Sequence, residues 1–274
     1  MSLDWTRLFP SREFGWHIGM RTGDAQRFFA STDASTSLLA ERAHWLEAMP
    51  GECALLTGNG AALLEEAAAF AKAWGVSLPP SGSVLHALGR VWEPDFVLLS
   101  TGDAGLIVEG GVVCFPSNWS LREKLGRSLE FTHGPVPRLN EQLGSRINVL
   151  LRKLAPGAAW ERENWGLARS SERNHHPQLA RRRLDETITP AEVWLRVEEQ
   201  LLMRLPATGG ILFGIGLVIL PFAELLAVPT ACEGLRQALA TMPDDALDYK
   251  GLASARPILL KWLENTSQVF DSIS

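Results

Sequence analysis

A chain of 274 residues, 46% of them hydrophobic, can bury a substantial core without disulfides or a partner. Its net charge of -5, with both signs spread along the chain, argues against nucleic acid or an anionic membrane as main partner and leaves small molecules and proteins. Three widely separated cysteines, Cys53, Cys114 and Cys232, form no CxxC pair, which points to neither structural zinc nor a disulfide framework and suits a reducing cytoplasm.

The opening Met1-Ser2-Leu3-Asp4-Trp5 lacks the basic segment and apolar run of a signal peptide. Ser35 to Met49 has the helical spacing of Leu38, Leu39, Ala43 and Leu46, stopped by Pro50-Gly51. Ala61 to Trp74 is a second, alanine-rich helix ending at Gly75, and the Pro/Gly/Ser stretch from Ser77 to Ser83 reads as a loop. Phe96 to Ser100 and Leu106 to Phe115 are rich in Val, Leu and Ile; they flank Thr101-Gly102-Asp103-Ala104-Gly105 and predict a β-hairpin. Ser120-Leu121-Arg122-Glu123 has capping-box spacing and predicts a short helix closing at Gly126.

Leu139 to Leu154 is helical by pattern and ends at Pro156-Gly157. Thr189-Pro190-Ala191-Glu192 predicts a further helix, with a capping box and a proline at its first position. Val193, Val197, Leu201 and Leu205 would form its buried stripe, with Arg196, Glu199 and Met203 pointing elsewhere. Ile211 to Val228 is nearly long and apolar enough for a membrane span. Pro221, Glu224 and the glycines favour instead a buried strand to about Leu220, a turn at Pro221 and a short helix. No repeat or βαβ alternation is present, so the expectation is one α+β domain over residues 1–274 with an antiparallel sheet.

The run Val112-Val113-Cys114-Phe115-Pro116-Ser117-Asn118-Trp119-Ser120-Leu121-Arg122-Glu123-Lys124-Leu125-Gly126 is followed by His133-Gly134-Pro135-Val136-Pro137. Further blocks are Leu88-Gly89-Arg90, Arg162-Glu163-Asn164-Trp165, Arg196-Val197-Glu198-Glu199-Gln200, Arg204-Leu205-Pro206 and Tyr249-Lys250-Gly251-Leu252. Together these resemble the alpha subunit of the haem-dependent oxidative N-demethylase and its relatives, in order and spacing over nearly the whole chain. The resemblance implies a PAS-like antiparallel sheet with surrounding helices that holds haem b. It implies monooxygenase-type, oxygen-dependent removal of a methyl group from a small amine, with electrons from a separate reductase carrying FMN and a 2Fe-2S cluster. PAS-like folds also serve in non-catalytic haem-binding sensors, and a partner subunit that has lost the activity is a further alternative. Self-association as a homo-oligomer is left open.

His133 precedes two prolines that stiffen its backbone, and a neutral imidazole is a natural axial ligand for haem iron. An ordinary loop histidine is the plainer reading, and His17, His44, His86, His175 and His176 compete for the role. Cys114 offers a thiolate, but between Val113 and Phe115 it reads as a buried, inert thiol. The Ser120 helix, following Trp119 and carrying Arg122 and Lys124, offers free N–H groups suited to a haem propionate. Arg162, Asn164 and Trp165 suit propionate pairing and packing against a porphyrin; Arg196 is a second-rank propionate partner or half of an exposed helical pair with Glu199 or Gln200. Arg181-Arg182-Arg183 reads as a solvated charge run or a dock for an acidic reductase or phosphate. No GxGxxG, GxxxxGK, GxSxG or HExxH motif is present. One departure stands out: where the family reads Phe-Thr-Ile-Arg-Thr-Tyr, this chain has Phe213-Gly214-Ile215-Gly216-Leu217-Val218. Gly216 replaces an arginine expected to face the haem, which predicts weak amine turnover.

Overall fold

The computed structural model describes residues 3–10, 12–16, 18–30, 35–80, 82–102 and 105–271. Within them seven strands form one antiparallel sheet: β1 (Arg21–Thr22), β2 (Ala54–Leu56), β3 (Asp95–Gly102), β4 (Gly105–Val112), β5 (Ala159–Ala168), β6 (Trp194–Arg204) and β7 (Ile211–Pro221). Their spatial order is β1-β5-β6-β7-β3-β4-β2. The helices are α1 (Trp5–Leu8), α2 (Ala25–Phe29), α3 (Ser35–Ala48), α4 (Pro50–Cys53), α5 (Ala61–Ala73), α6 (Val84–Val91) and α7 (Leu121–Lys124). They continue with α8 (Leu129–His133), α9 (Ser145–Lys153), α10 (Phe222–Leu226), α11 (Pro229–Thr241), α12 (Asp244–Lys250) and α13 (Arg256–Asp271). The result is a mixed α+β domain, as composition and pattern suggested.

The expected hairpin is β3–β4, pairing from Phe96↔Val112 to Gly102↔Gly105; Asp103 and Ala104 of its turn lie outside the described residues. Gly111, at φ 147°, lets the two backbones close together, because a Cβ there would stand 2.0 Å from the Phe96 carbonyl oxygen. The apolar run from Ile211 is the central strand β7, followed by α10. No helix among the described residues is long and apolar enough to cross a membrane.

The helix expected after Thr189 is a strand. The capping box does form, with the Thr189 N–H donating to Glu192 Oε2 at 3.0 Å, but it supports only a single 3₁₀ turn, Pro190–Glu192. A spacing of four fits period 2 as well as period 3.6. Leu195 and Met203 are buried on the same face as Val193, Val197, Leu201 and Leu205, completing a strand alternation broken only at Glu199. Met203 therefore points into the core, and Arg196 and Glu199 lie on opposite faces, which removes the helical pair.

The helix expected to stop at Pro50-Gly51 does so: α3 ends at Ala48, and Pro50 opens the separate turn α4. Two smaller expectations change. Ser120 makes no cap: its hydroxyl donates to Glu52 at 3.3 Å, and α7 ends at Lys124, two residues before Gly126 turns left-handed at φ 71°. Leu139–Leu154 is helical in two pieces, a π turn at Asn140–Gly144 and then α9.

One sheet face is covered by α2, α3, α5 and α6, packed around Phe29, Trp92, Phe96 and Leu201, and by the C-terminal helices around Val197, Phe222 and Leu235. The opposite face carries Val97, Leu99, Leu202 and Ile211 beneath Leu151 and Leu154 of the α8–α9 arm. At the start of β3 the fully buried Arg42 donates to Asp95 at 2.6 Å and to the Gly89 carbonyl at 3.0 Å. Asp95 in turn accepts the N–H groups of Cys114 (2.8 Å) and Phe115 (2.9 Å). Cys53, Cys114 and Cys232 are all buried free thiols.

Candidate functional site

Between the second sheet face and the α8–α9 arm lies a cavity of about 90 Å³. Leu99, Leu202 and Phe213 form its floor, and Leu129, Ile147 and Leu151 its roof. Among the described residues, three polar side chains line it: His133, Arg162 and Gln200. The strand register explains the floor, since Arg162 pairs with Gln200 and Leu202 with Phe213, all on one face.

His133 is the last residue of α8. Burial pushes its pKa from 6.5 down to about 4, and the positive charges of Lys124 and Arg162 act in the same direction. The imidazole is therefore neutral at physiological pH, the form that binds metals. Burial likewise lowers the Arg162 pKa, opposed by Glu198 and Glu163, and its Nε has no hydrogen-bond partner among the described residues. Burial also lowers the pKa of Lys124, which donates to the Thr132 carbonyl at 3.2 Å and stands 5.5 Å from the Trp119 ring centre.

The other expected residues disperse. Arg122 is ion-paired with Glu52 at 2.8 Å and bonded to the Gly51 carbonyl. Asn164 donates to Glu198 at 3.4 Å on the cavity face. Trp165, one residue on, points to the opposite face against Phe9, 5.2 Å between centroids, with the Lys250 ammonium 4.5 Å from its ring. Arg196 clamps the segment after β5, donating to the carbonyls of Glu172 (2.8 Å) and Arg173 (2.9 Å) and to Ser117 Oγ (3.4 Å); burial lowers its pKa to about 10.

Of the competing histidines, His175 and His176 are buried, and His176 Nε2 is 3.4 Å from Glu52. His175 is pushed down to about 4 by burial, with Arg196 and Arg181 adding to the effect. His86 bonds Ser83 at 2.8 Å and His44 packs edge-on against Trp45. His17 lies outside the described residues. Cys114 is buried, and its thiol pKa is raised, first by a hydrogen bond with Cys53 and then by burial. In the arginine run, Arg181 pairs with Glu172 at 2.5 Å and Arg182 with Asp185 at 3.6 Å.

Sequence reading missed Gln200 and Glu198. Glu198 Oε2 accepts from both Gln200 (2.9 Å) and Asn164 (3.4 Å), placing an oriented carboxylate beside the cavity. The alternation of β6 was the signal: read as a strand, it puts residues 196, 198, 200 and 202 on one face.

Gly216 corrects another expectation. It pairs with Glu199, and its side faces away from Gln200, Leu202 and Phe213. A Cβ there would meet Glu199 at 3.6 Å, so an arginine at 216 would face Glu199, Glu163 and Glu161 instead of the His133 cavity. Burial, with Glu163 and Glu161 adding to it, raises the Glu199 pKa. Its ionised form therefore costs stability above its folded pKa and costs nothing at acid pH, where the carboxyl is protonated in both states. Glu199→Gln is expected to be more stable than the native chain at pH 7–8 in urea unfolding, the advantage vanishing as pH falls below 4. An equal midpoint at neutral pH would contradict this.

The donor chemistry of the cavity suits a haem: a lone neutral imidazole suffices for a metal that brings its own macrocycle, and a guanidinium suits its carboxylates. The space does not suit it, because ligand pockets run to about 300–1,000 Å³ and this cavity is far smaller. With the α8–α9 arm where it stands, a porphyrin has no room. Of the blocks singled out in the sequence, His133 and the β5–β6 residues Arg162 and Gln200 nonetheless meet at one cavity on one sheet face, with Lys124 close enough to act on His133. Residues 62–260 match the family described as haem-dependent oxidative N-demethylase, alpha subunit-like, and the chain belongs to that family.

Proposed function

We propose that the chain is a haem b-binding subunit of an oxygen-dependent amine N-demethylase, with His133 as the axial ligand. The observation that carries this reading is the neutral, half-buried imidazole lining an apolar cavity beside the Arg162 guanidinium. When bound, the haem supplies oxygen activation. The residues of the chain would hold it: His133 would provide a ligand nitrogen, Arg162 and Lys124 countercharge for its carboxylates, and Leu99, Leu202 and Phe213 an apolar wall. A porphyrin would fit only with the α8–α9 arm further from the sheet than it stands. The family belongs to a multi-component system, so electrons would arrive from a separate reductase with FMN and a 2Fe-2S cluster. The proposal extends to a cytoplasmic setting, to a PAS-like character of the sheet and to one domain spanning 1–274.

A second reading is a non-catalytic haem-binding sensor or a partner subunit that has lost the amine-oxidising activity, and the smallness of the cavity favours the latter. The first test is the absorption spectrum of the chain expressed with ample haem precursor. A Soret band at one haem per chain is expected, and a colourless protein that takes up no haemin would refute the haem-binding readings and leave the partner subunit. Oxidation of small secondary amines with a competent reductase then separates them.

A further inference from the structure

The cavity has a chemistry of its own. Among the described residues that line it, one is a cation with no ion-pair partner inside the cavity: Arg162 forms part of the wall, its Nε lacks a hydrogen-bond partner, and the other lining groups are apolar apart from His133 and Gln200. The nearest acid on that face, Glu198, is one cross-strand pair away, opposite Asn164, and its Oε2 is engaged by two amides. His133 adds no negative charge, and Lys124, its other charged neighbour, is a second cation. A largely buried guanidinium against an apolar wall binds a carboxylate in a fork better than it would in open water.

The size of the cavity selects the ligand. An apolar cavity of about 150 Å³ holds a benzene molecule, so about 90 Å³ suits a molecule of about four or five heavy atoms. We propose that this cavity is a binding site for a free short-chain monocarboxylate of two or three carbons, held by Arg162 with its alkyl end against Leu202, Phe213 and Leu151. The site goes beyond the haem reading, although a haem carboxylate would call on the same guanidinium.

The test is calorimetric titration of the full, pigment-free chain with acetate, propionate and hexanoate at constant ionic strength, with chloride as control. Acetate and propionate are expected to bind, and hexanoate at least tenfold more weakly than propionate. Arg162→Met is expected to weaken propionate binding at least tenfold, and Arg162→Lys, which keeps the charge and loses the fork, to fall between; circular dichroism checks that both variants fold. Haemin titrated into the same proteins distinguishes the two sources of carboxylate. Acid binding that depends on Arg162 supports the proposal whether or not haemin binds. Haemin binding that depends on Arg162 with no free acid bound overturns it and leaves the guanidinium as a propionate partner. Equal binding of hexanoate and propionate, or of the native chain and Arg162→Met, also overturns it.

Discussion

Asp95→Ala is expected to lower the stability of the fold by about 3–5 kcal/mol, the usual cost of removing one partner from a buried ion pair. Arg42 is fully buried, and its Nη2 already lacks a partner among the described residues. Without Asp95 the guanidinium would keep only the Gly89 carbonyl, and the N–H groups of Cys114 and Phe115 would lose their acceptors. Those two residues begin the run that leads to Trp119 and Lys124, so the lesion reaches the segment whose Lys124 acts on His133. Chemical denaturation measures the loss. The double variant Asp95→Leu with Arg42→Met should recover much of it, because apolar groups of similar volume remove the unpaired charge. A single variant within about 1 kcal/mol of the native chain would show that the pair is dispensable.

His133→Ala is expected to abolish the Soret band, whereas His175→Ala and His176→Ala keep it. Of these three only His133 lines the cavity; His175 and His176 are buried against the segment that Arg196 and Glu52 hold. Free imidazole should partly restore the band in His133→Gly, a rescue that a packing role would not give. The same residue leaves a signature without haem. The folded pKa of His133 is about 4 against an ordinary value of 6.5, so the native state resists protonation. A depressed base contributes stability that is whole above 6.5 and is lost as pH falls towards 4. His175 behaves likewise. His133→Ala should therefore show a shallower fall in urea midpoint between pH 6.5 and 4 than the native chain. An unchanged Soret band in this variant would remove His133 as ligand.

Elements whose residue pattern admits one reading are legible in the amino-acid sequence alone. Two Val- and Leu-rich runs around a Gly-containing turn announce the hairpin of β3 and β4, and an apolar run too broken by Pro221 and Glu224 to span a bilayer announces β7. The alanine-rich α5 is bounded correctly because Gly75 ends it. Strand β6 is not legible in this way, because a true capping box opens it and apolar residues at every fourth position suit either period. The capping box is a local bond worth about 1 kcal/mol, which cannot outweigh pairing along ten residues with β5 and eleven with β7.

The same ambiguity hides half of the site. Taken as a helix, residues 196–202 scatter around an axis; as a strand they set Glu198, Gln200 and Leu202 on one face with Arg162 opposite Gln200. It also misplaces Gly216, since only register tells which side of a sheet a residue faces. By itself the sequence determined the fold class, the family, and His133 and Arg162 as candidates, because these rest on composition, periodicity and motif. The tertiary structure alone decided that these two share a cavity, that Arg122 and Arg196 are bound elsewhere, and that Gly216 lies on the far face. Those facts depend on strand pairing between segments distant in the chain, as in Arg21↔Glu161 and Asp95↔Ile215, which no local spacing encodes.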